Sequence, residues 1–157
     1  MSIDLTPNRL PWPPMIFVAL AFGAAALERA VPLSYEGPVA LVWLGWAVGA
    51  AAFALIAWSA ITMSRASTNI LPHRAADSLV TAGPFALSRN PIYLGTTALL
   101  LAAALVRQEP WFLAAAALDA LLVTQLAIKR EEAHLAARFG AAWDAYRART
   151  GRWIGPV

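Results

Sequence analysis

The run from Val39 to Met63 contains no charged residue. As a helix it extends about 37 Å at 1.5 Å per residue, more than the roughly 30 Å hydrocarbon core of a bilayer. Nothing in hydrocarbon hydrogen-bonds a bare backbone, so such a run must satisfy its N–H and C=O groups internally, which requires a helix. Three further apolar runs accompany it: Met15–Leu27, Pro91–Val106 and Trp111–Ile128. The first is short for a bilayer and extends back to Leu10 or on to Val31 if Glu28 and Arg29 sit at the interface. Ala24-Ala25-Ala26 resembles a leader cleavage site, but the preceding segment carries one Arg, one Asp and several prolines instead of a basic stretch, so it reads as a span.

The expected fold is therefore all-α, a polytopic integral membrane protein with about four transmembrane helices and a C-terminal amphipathic helix on the cytoplasmic face. The whole chain, 1–157, forms one membrane domain. Its spans lie near 12–31, 39–63, 91–106 and 111–128, its cytoplasmic loop is 64–90 and its C-terminal helix is 129–149. Composition agrees: 60% of residues are hydrophobic and 13% charged, where soluble domains carry about 25%. Cysteine is absent, which excludes disulfides, thiolate metal sites and a cysteine nucleophile. The net charge of +3 is concentrated in the last thirty residues beside the membrane, so membrane lipids account for it and no nucleic-acid partner is expected.

Basic residues orient the chain. Arg9, Arg65, Arg74, Arg89 and the six Lys/Arg from Lys129 onward fall on one side of a four-span arrangement, leaving Arg29 and Arg107 on the other. The positive-inside rule places both termini in the cytoplasm; the chain's small size makes a bacterial inner membrane the expected host. Gly45 and Gly49 form a G-x-x-x-G that reads as close helix packing and also permits pairing between chains, so the oligomeric state is open. Asp119, inside the last span, is either a functional acid or a hydrogen-bonding partner for a neighbouring helix. Trp43, Trp46 and Trp58 read as packing or interfacial residues.

Two motifs meet at the cytoplasmic surface in this topology. One is the segment Thr81–Gly95, T-A-G-P-F-A-L-S-R-N-P-I-Y-L-G, within a loop that also holds Asn69, Pro72, His73, Arg74 and Asp77. The other is Glu131-Glu132, beyond the hairpin closed by Arg107-Gln108-Glu109-Pro110. After it, Glu132, Leu135, Phe139, Trp143 and Tyr146 share one face, Arg130, His134 and Arg138 another, and Gly140 offers a bend. Neighbouring helical residues stand about 100° apart, so only one of the two carboxylates need face a site. No H-E-x-x-H or three-ligand spacing is present, so no metal site is expected, and Ser88 has no evident His and acid partners. Carboxylates, a fixed cation, an amide and a phenol suit a zwitterionic, cationic cofactor. Methyl transfer needs little beyond alignment of donor and acceptor.

These residues carry a resemblance. G-P-F-A-L-S-R-N-P-I-Y-L-G, a hydrophobic hairpin, E-E and then R-F-G-A-A-W-D-A-Y-R-A-R resemble, over roughly residues 64–155, the isoprenylcysteine carboxyl methyltransferase family and the related phospholipid methyltransferases. That family's pattern is R-H-P-x-Y-x-G, then E-E, then F-G-x-x-Y-x-x-Y and a basic tail. The resemblance implies S-adenosylmethionine held on the cytoplasmic side, with a lipophilic or prenylated acceptor arriving from the bilayer. It places Asn90, Pro91, Tyr93, Gly95, Glu131 and Glu132 at the cofactor, with Arg89 and Arg149 on the acceptor's polar group. Asn90 stands where the family has His and cannot act as a base; Trp143 replaces a Tyr, and T-G-R-W-I-G replaces a more proline-rich tail. Two other readings use the same residues: a membrane reductase on a similar scaffold binding NADPH, and a small membrane protein without enzymatic activity.

Overall fold

The computed structural model describes residues 12–66 and 78–156. Arg9, Asn69, Pro72, His73, Arg74 and Asp77 lie outside them. The described residues form helices α1 (Trp12–Ala30), α2 (Val39–Arg65), α3 (Pro91–Arg107), α4 (Pro110–Val123), α5 (Lys129–Phe139) and α6 (Ala141–Arg147). A 3-10 turn, Gly83–Ala86, precedes α3, and a π-helical turn, Thr124–Ile128, joins α4 to α5 without a break. Three stretches are long and apolar enough to cross a membrane: Pro13–Ala30, α2 and the continuous rod Pro110–Phe139. The shorter apolar α3 lies between α2 and α4, packed against both. The apolar part of the rod ends at Ile128; its last eleven residues, K-R-E-E-A-H-L-A-A-R-F, are α5 and project past the span.

Small residues set the α2–α3 register. A Cβ on Gly45 would meet Val106 Cγ2 at 2.7 Å and the Leu105 Cβ at 2.9 Å; one on Gly95 would collide with the Ile56 side chain and lie 3.1 Å from the Ala52 carbonyl. Gly49 faces Ala102. The G-x-x-x-G is thus spent inside the chain, on α3. These pairs define an antiparallel register in which α2 outruns α3 at both ends. At the end that carries Pro91, the 3-10 turn fills the resulting step, with Gly83 (φ +62°) against Trp58 and Thr62. A shelf forms beside the last turns of α2, at the level where the span ends.

Ala24, Leu100, Ala104, Phe112, Ala115 and Ala116 make the α1–α3–α4 core. Asp119 is fully buried within it and accepts a 2.6 Å hydrogen bond from Thr97 Oγ1 on α3, joining two helices. On the outside, Trp43, Trp46 and Phe53 are 61–69% exposed, as expected for a surface solvated by lipid. At the end opposite the shelf the connections are tied by side chains. Glu28 Oε1 accepts from the Leu33 and Ser34 amides, both at 2.9 Å, and Trp111 Nε1 donates to the Val31 carbonyl. Gln108, in left-handed backbone (φ 55°), accepts from the Gly37 amide at 2.7 Å.

Gly45→Val should destabilise the protein by about 1–3 kcal/mol, because a branched side chain there has to displace α3. Gly49→Ala, whose Cβ meets Ala102 at an ordinary 3.4 Å, should be neutral or slightly stabilising. Thermal unfolding of both variants in the same detergent checks this; equal effects would contradict the assigned register.

Candidate functional site

The shelf is built from backbone. The segment Leu87–Asn90 lies against the tail Gly151–Gly155: Arg89 N donates to the Gly151 carbonyl at 2.9 Å and Gly155 N to the Leu87 carbonyl at 3.1 Å. Two side chains complete the join, Ser88 Oγ and Asn90 Nδ2 both donating to the Arg152 carbonyl, at 3.3 and 3.0 Å. Asn90 N donates in turn to Ser88 Oγ. Gly151 is required here, since a Cβ would stand 2.6 Å from the Gly155 carbonyl oxygen. The Asn90 amide group, which the resemblance directs at the cofactor, therefore fastens the tail in this structure. Its replacement of a histidine fits that task, which needs a donor and no titration.

Pro91 opens α3, where a missing N–H has no consequence. One turn in, Tyr93 Oη donates to Glu131 Oε1 at 2.8 Å, joining the N-P-I-Y segment to the Glu pair across the helix hairpin. Gly95 sits on the face of α3 that packs against α2, with Ile56 and Ala52. The Glu131 carboxyl lies deep, although the residue as a whole is only half-buried. Burial pushes its pKa up to about 7; the Tyr93 hydrogen bond opposes that rise and the neighbouring Glu132 adds to it.

Glu132 turns to the tail. Arg152 grips it with both arms of the guanidinium fork, Nε to Oε1 at 3.0 Å and Nη2 to Oε2 at 2.6 Å. Arg89 Nη2 stands 3.4 Å from the same Oε1. Hydrogen bonding to Glu132 raises the Arg152 pKa above its already high value. Both carboxylates thus face the shelf and diverge, one towards α3 and one towards the tail, whereas helix geometry alone asks this of only one. An aromatic wall backs the cluster. The Arg89 guanidinium lies 5.5 Å from the Trp143 ring centre, and Trp143 meets Tyr146 edge-on. Tyr146 Oη donates to the Phe85 carbonyl at 2.7 Å; burial raises its pKa, and Arg89 partly offsets the rise. Leu135 and Phe139 pack against this wall, as the shared helical face requires, even though the helix breaks at Gly140 (φ 49°).

One expected group, Arg149, stands apart, and so does His134, which the sequence puts on a different face of the helix from Glu132. Arg149 is exposed, its Nε donating to the Ala145 carbonyl one turn back. His134 is half-buried on the flank of α5, and neither ring nitrogen has a hydrogen-bond partner. Conversely, Arg152 was not singled out by the sequence reading, and Ser88 was weighed there only as a nucleophile, not as the donor to the tail that it is here. A signal for Arg152 was present: Gly151 and Gly155 bracket a cation in a chain poor in charges.

Chemically, the cluster offers a deep carboxyl whose partner is a neutral phenol, beside two guanidinium groups that share one carboxylate, all at the edge of an apolar bundle. A search of curated proteins and one of solved structures each return no match. A family description, phospholipid methyltransferase, matches residues 40–142. That stretch runs from the start of α2 through the shelf and the Glu pair, well over half the chain, and on its strength the protein belongs to the phospholipid methyltransferase family of membrane methyltransferases.

Proposed function

We propose that the chain is an S-adenosylmethionine-dependent methyltransferase that modifies a lipophilic acceptor at the cytoplasmic membrane face, with both termini in the cytoplasm. The acceptor class is a phospholipid-like or isoprenylcysteine carboxylate-like molecule that reaches the shelf from the bilayer. The observation that carries this reading is the Tyr93–Glu131 hydrogen bond, which brings the two motifs of the family resemblance into one cluster.

The donor set fits the cofactor. Glu131 has a neutral partner and acceptor capacity left over, so a cation placed beside it gains a counter-charge that the protein does not otherwise use. Tyr93, Glu131 and Glu132 would hold the cofactor, with the Asn90–Pro91 turn and Gly95 setting the start and seating of the helix that carries Tyr93. When bound, S-adenosylmethionine supplies an electrophilic methyl group. Around it, Tyr93 orients the Glu131 carboxyl, and the ionised form of that carboxyl favours a positive charge at its oxygens. The aromatic wall of Phe85, Trp143 and Tyr146 closes one side of the shelf against water and lowers the local dielectric, which strengthens each charge interaction there. Arg89, mounted on the shelf itself, would hold an acceptor's polar group; Arg149, exposed just beyond α6, would do so only for a group outside the cluster.

Calorimetric titration of the purified protein with S-adenosylmethionine and S-adenosylhomocysteine tests this. Saturable binding of both is expected, and Glu131→Gln should weaken S-adenosylmethionine by about tenfold or more, or about 1.4 kcal/mol. A folded protein that binds neither, or that binds NADPH instead, overturns the reading.

The same titration has a pH signature. In the free protein Glu131 is mostly protonated below about 7, and a cationic ligand favours its ionised form. Affinity for S-adenosylmethionine should therefore rise with pH between about 5 and 7 and level off above, with proton release on binding in the lower range. Glu131→Gln should flatten this profile. In the unliganded protein the sign is opposite: the raised pKa makes Glu131's contribution to stability fall as pH rises from about 4.5 through about 7, visible as a decline in melting temperature that Glu131→Gln removes.

A further inference from the structure

Three charged side chains meet at the shelf, Arg89, Arg152 and Glu132. Arg89 and Arg152 both address Glu132, and the Glu131 carboxyl beside it is turned to Tyr93. Of the other groups near the pair, Tyr146 donates its hydroxyl to the Phe85 carbonyl, and Asp144 is paired with Arg147. Two guanidinium groups therefore share the one Glu132 carboxylate. Arg89 and Glu132 do not lie on a solvated surface, their side chains being 11% and 14% exposed, while Arg152 closes the cluster at its rim, 36% exposed. Arg89 Nε is a buried donor with no acceptor at all. A buried guanidinium N–H left unsatisfied is costly, and native structures seldom keep one without a use.

We infer that Arg89 and Arg152 form a clamp for an oxyanion, a carboxylate or a phosphate, and that Glu132 is its removable internal occupant. This rests on the reading of the shelf as the methyl-transfer site. The two guanidinium groups are held side by side before any ligand arrives. The Arg89 amide is bound to the Gly151 carbonyl, and the Arg152 carbonyl is bound by both Ser88 and Asn90. Arg152 commits Nε and one amino group to Glu132, while Arg89 commits only a long 3.4 Å contact. The Nε edge of Arg89 is thus the open half of the clamp. Guanidinium forks match the two oxygens of carboxylates and phosphates. An oxyanion that takes the forks frees Glu132, and a freed carboxylate beside Glu131 doubles the negative charge available to a cation. The trio therefore suits a ligand carrying both signs, and binding of the anion and of the cation should reinforce each other. The oxyanion has two possible sources, the carboxylate of the cofactor's amino-acid end and the phosphate of a lipid headgroup.

The test uses the full chain in nanodiscs, as native protein and as Arg89→Gln, Arg152→Gln and the exposed-residue control Arg147→Gln. One arm compares S-adenosylmethionine with its decarboxylated analogue, which keeps the sulfonium and the amine. The other compares binding of phosphatidic acid with that of diacylglycerol. If the cofactor supplies the oxyanion, the native protein prefers S-adenosylmethionine by about tenfold or more, and either clamp variant abolishes the preference while Arg147→Gln keeps it. If the lipid supplies it, the same pattern appears in the phosphatidic acid arm alone. Arg152→Lys, which keeps the charge and loses the fork, reports in place of Arg152→Gln should that variant not fold; a loss of about threefold or more is expected. A native protein without either preference, or clamp variants that retain it, overturns the clamp. Binding of S-adenosylmethionine without a carboxylate or phosphate preference would sink the clamp and leave the methyltransferase reading standing. Phosphate preference without S-adenosylmethionine binding would do the reverse.

Discussion

The candidate site depends on a one-residue shift of register inside the longest helix. Along α4 the buried positions are Phe112, Ala115, Ala116, Asp119 and Val123, spaced three and four apart. Continued at about 100° per residue, that face would next present Arg130 and His134 to the bundle. The π-helical turn Thr124–Ile128 interrupts the count. It inserts one extra residue per turn, so the inward face resumes at Ala127, Ile128, Glu131, Glu132 and Leu135, while Arg130 points outward. Without it, two carboxylates would leave the shelf and an arginine would take their place, reversing the sign of the charge that meets Tyr93 and Arg89. Thr124 Oγ1, bonded to the Ala120 carbonyl at 2.6 Å, takes up a backbone acceptor where the helix changes pitch. π-turns of this kind concentrate at functional sites.

The second constraint is unequal helix length. With seventeen residues, α3 reaches about 25 Å against roughly 30 Å of hydrocarbon. Both neighbours outrun it, α2 by its last turn and the α4–α5 rod by all of α5. The step left at Pro91 is where irregular backbone can exist beside a membrane span, because protein covers its polar groups. The 3-10 turn, the Ser88–Asn90 segment and the tail occupy it. The polar cluster thus sits at the end of the apolar bundle, level with the step that the short helix leaves.

These two constraints separate what was legible in the sequence from what was not. The spans were legible because exclusion of charge is a property of composition over many residues; Val39–Met63 leaves no other fold open. The meeting of Thr81–Gly95 with Glu131-Glu132 was legible because topology brings both to one surface whatever the details. The break at Gly140 also had a local signal, the glycine itself. The facing of both glutamates was not legible, since T-Q-L-A-I carries no mark that separates a π turn from an ordinary one. The exchange of Arg149 for Arg152 was missed for a similar reason. Arg149 fits the three-residue step from Tyr146, but the helix ends at Arg147, and beyond it position depends on how the tail folds back. That fold-back rests on hydrogen bonds between residues more than sixty apart in sequence, which no periodicity encodes.

The cluster divides between a rigid half and a fastened half. Tyr93, Glu131 and Glu132 stand on helices whose packing fixes them. Ile128 and Val123 are almost wholly buried in the layer directly beneath, with Tyr93 and Trp153 against them. Arg152 stands on a tail held by three hydrogen bonds from Ser88, Arg89 and Asn90, by the Gly155–Leu87 bond and by Glu132 itself. The bonds to backbone survive if Glu132 changes partner, so the arginine can exchange its anion without the tail coming away. Asn90 has a part in this that a titrating histidine would fill less steadily, because its amide donates at every pH. The departure from the family pattern at this position therefore removes a proton-dependent element from the tail and leaves Glu131 as the cluster's group with a pKa near neutrality.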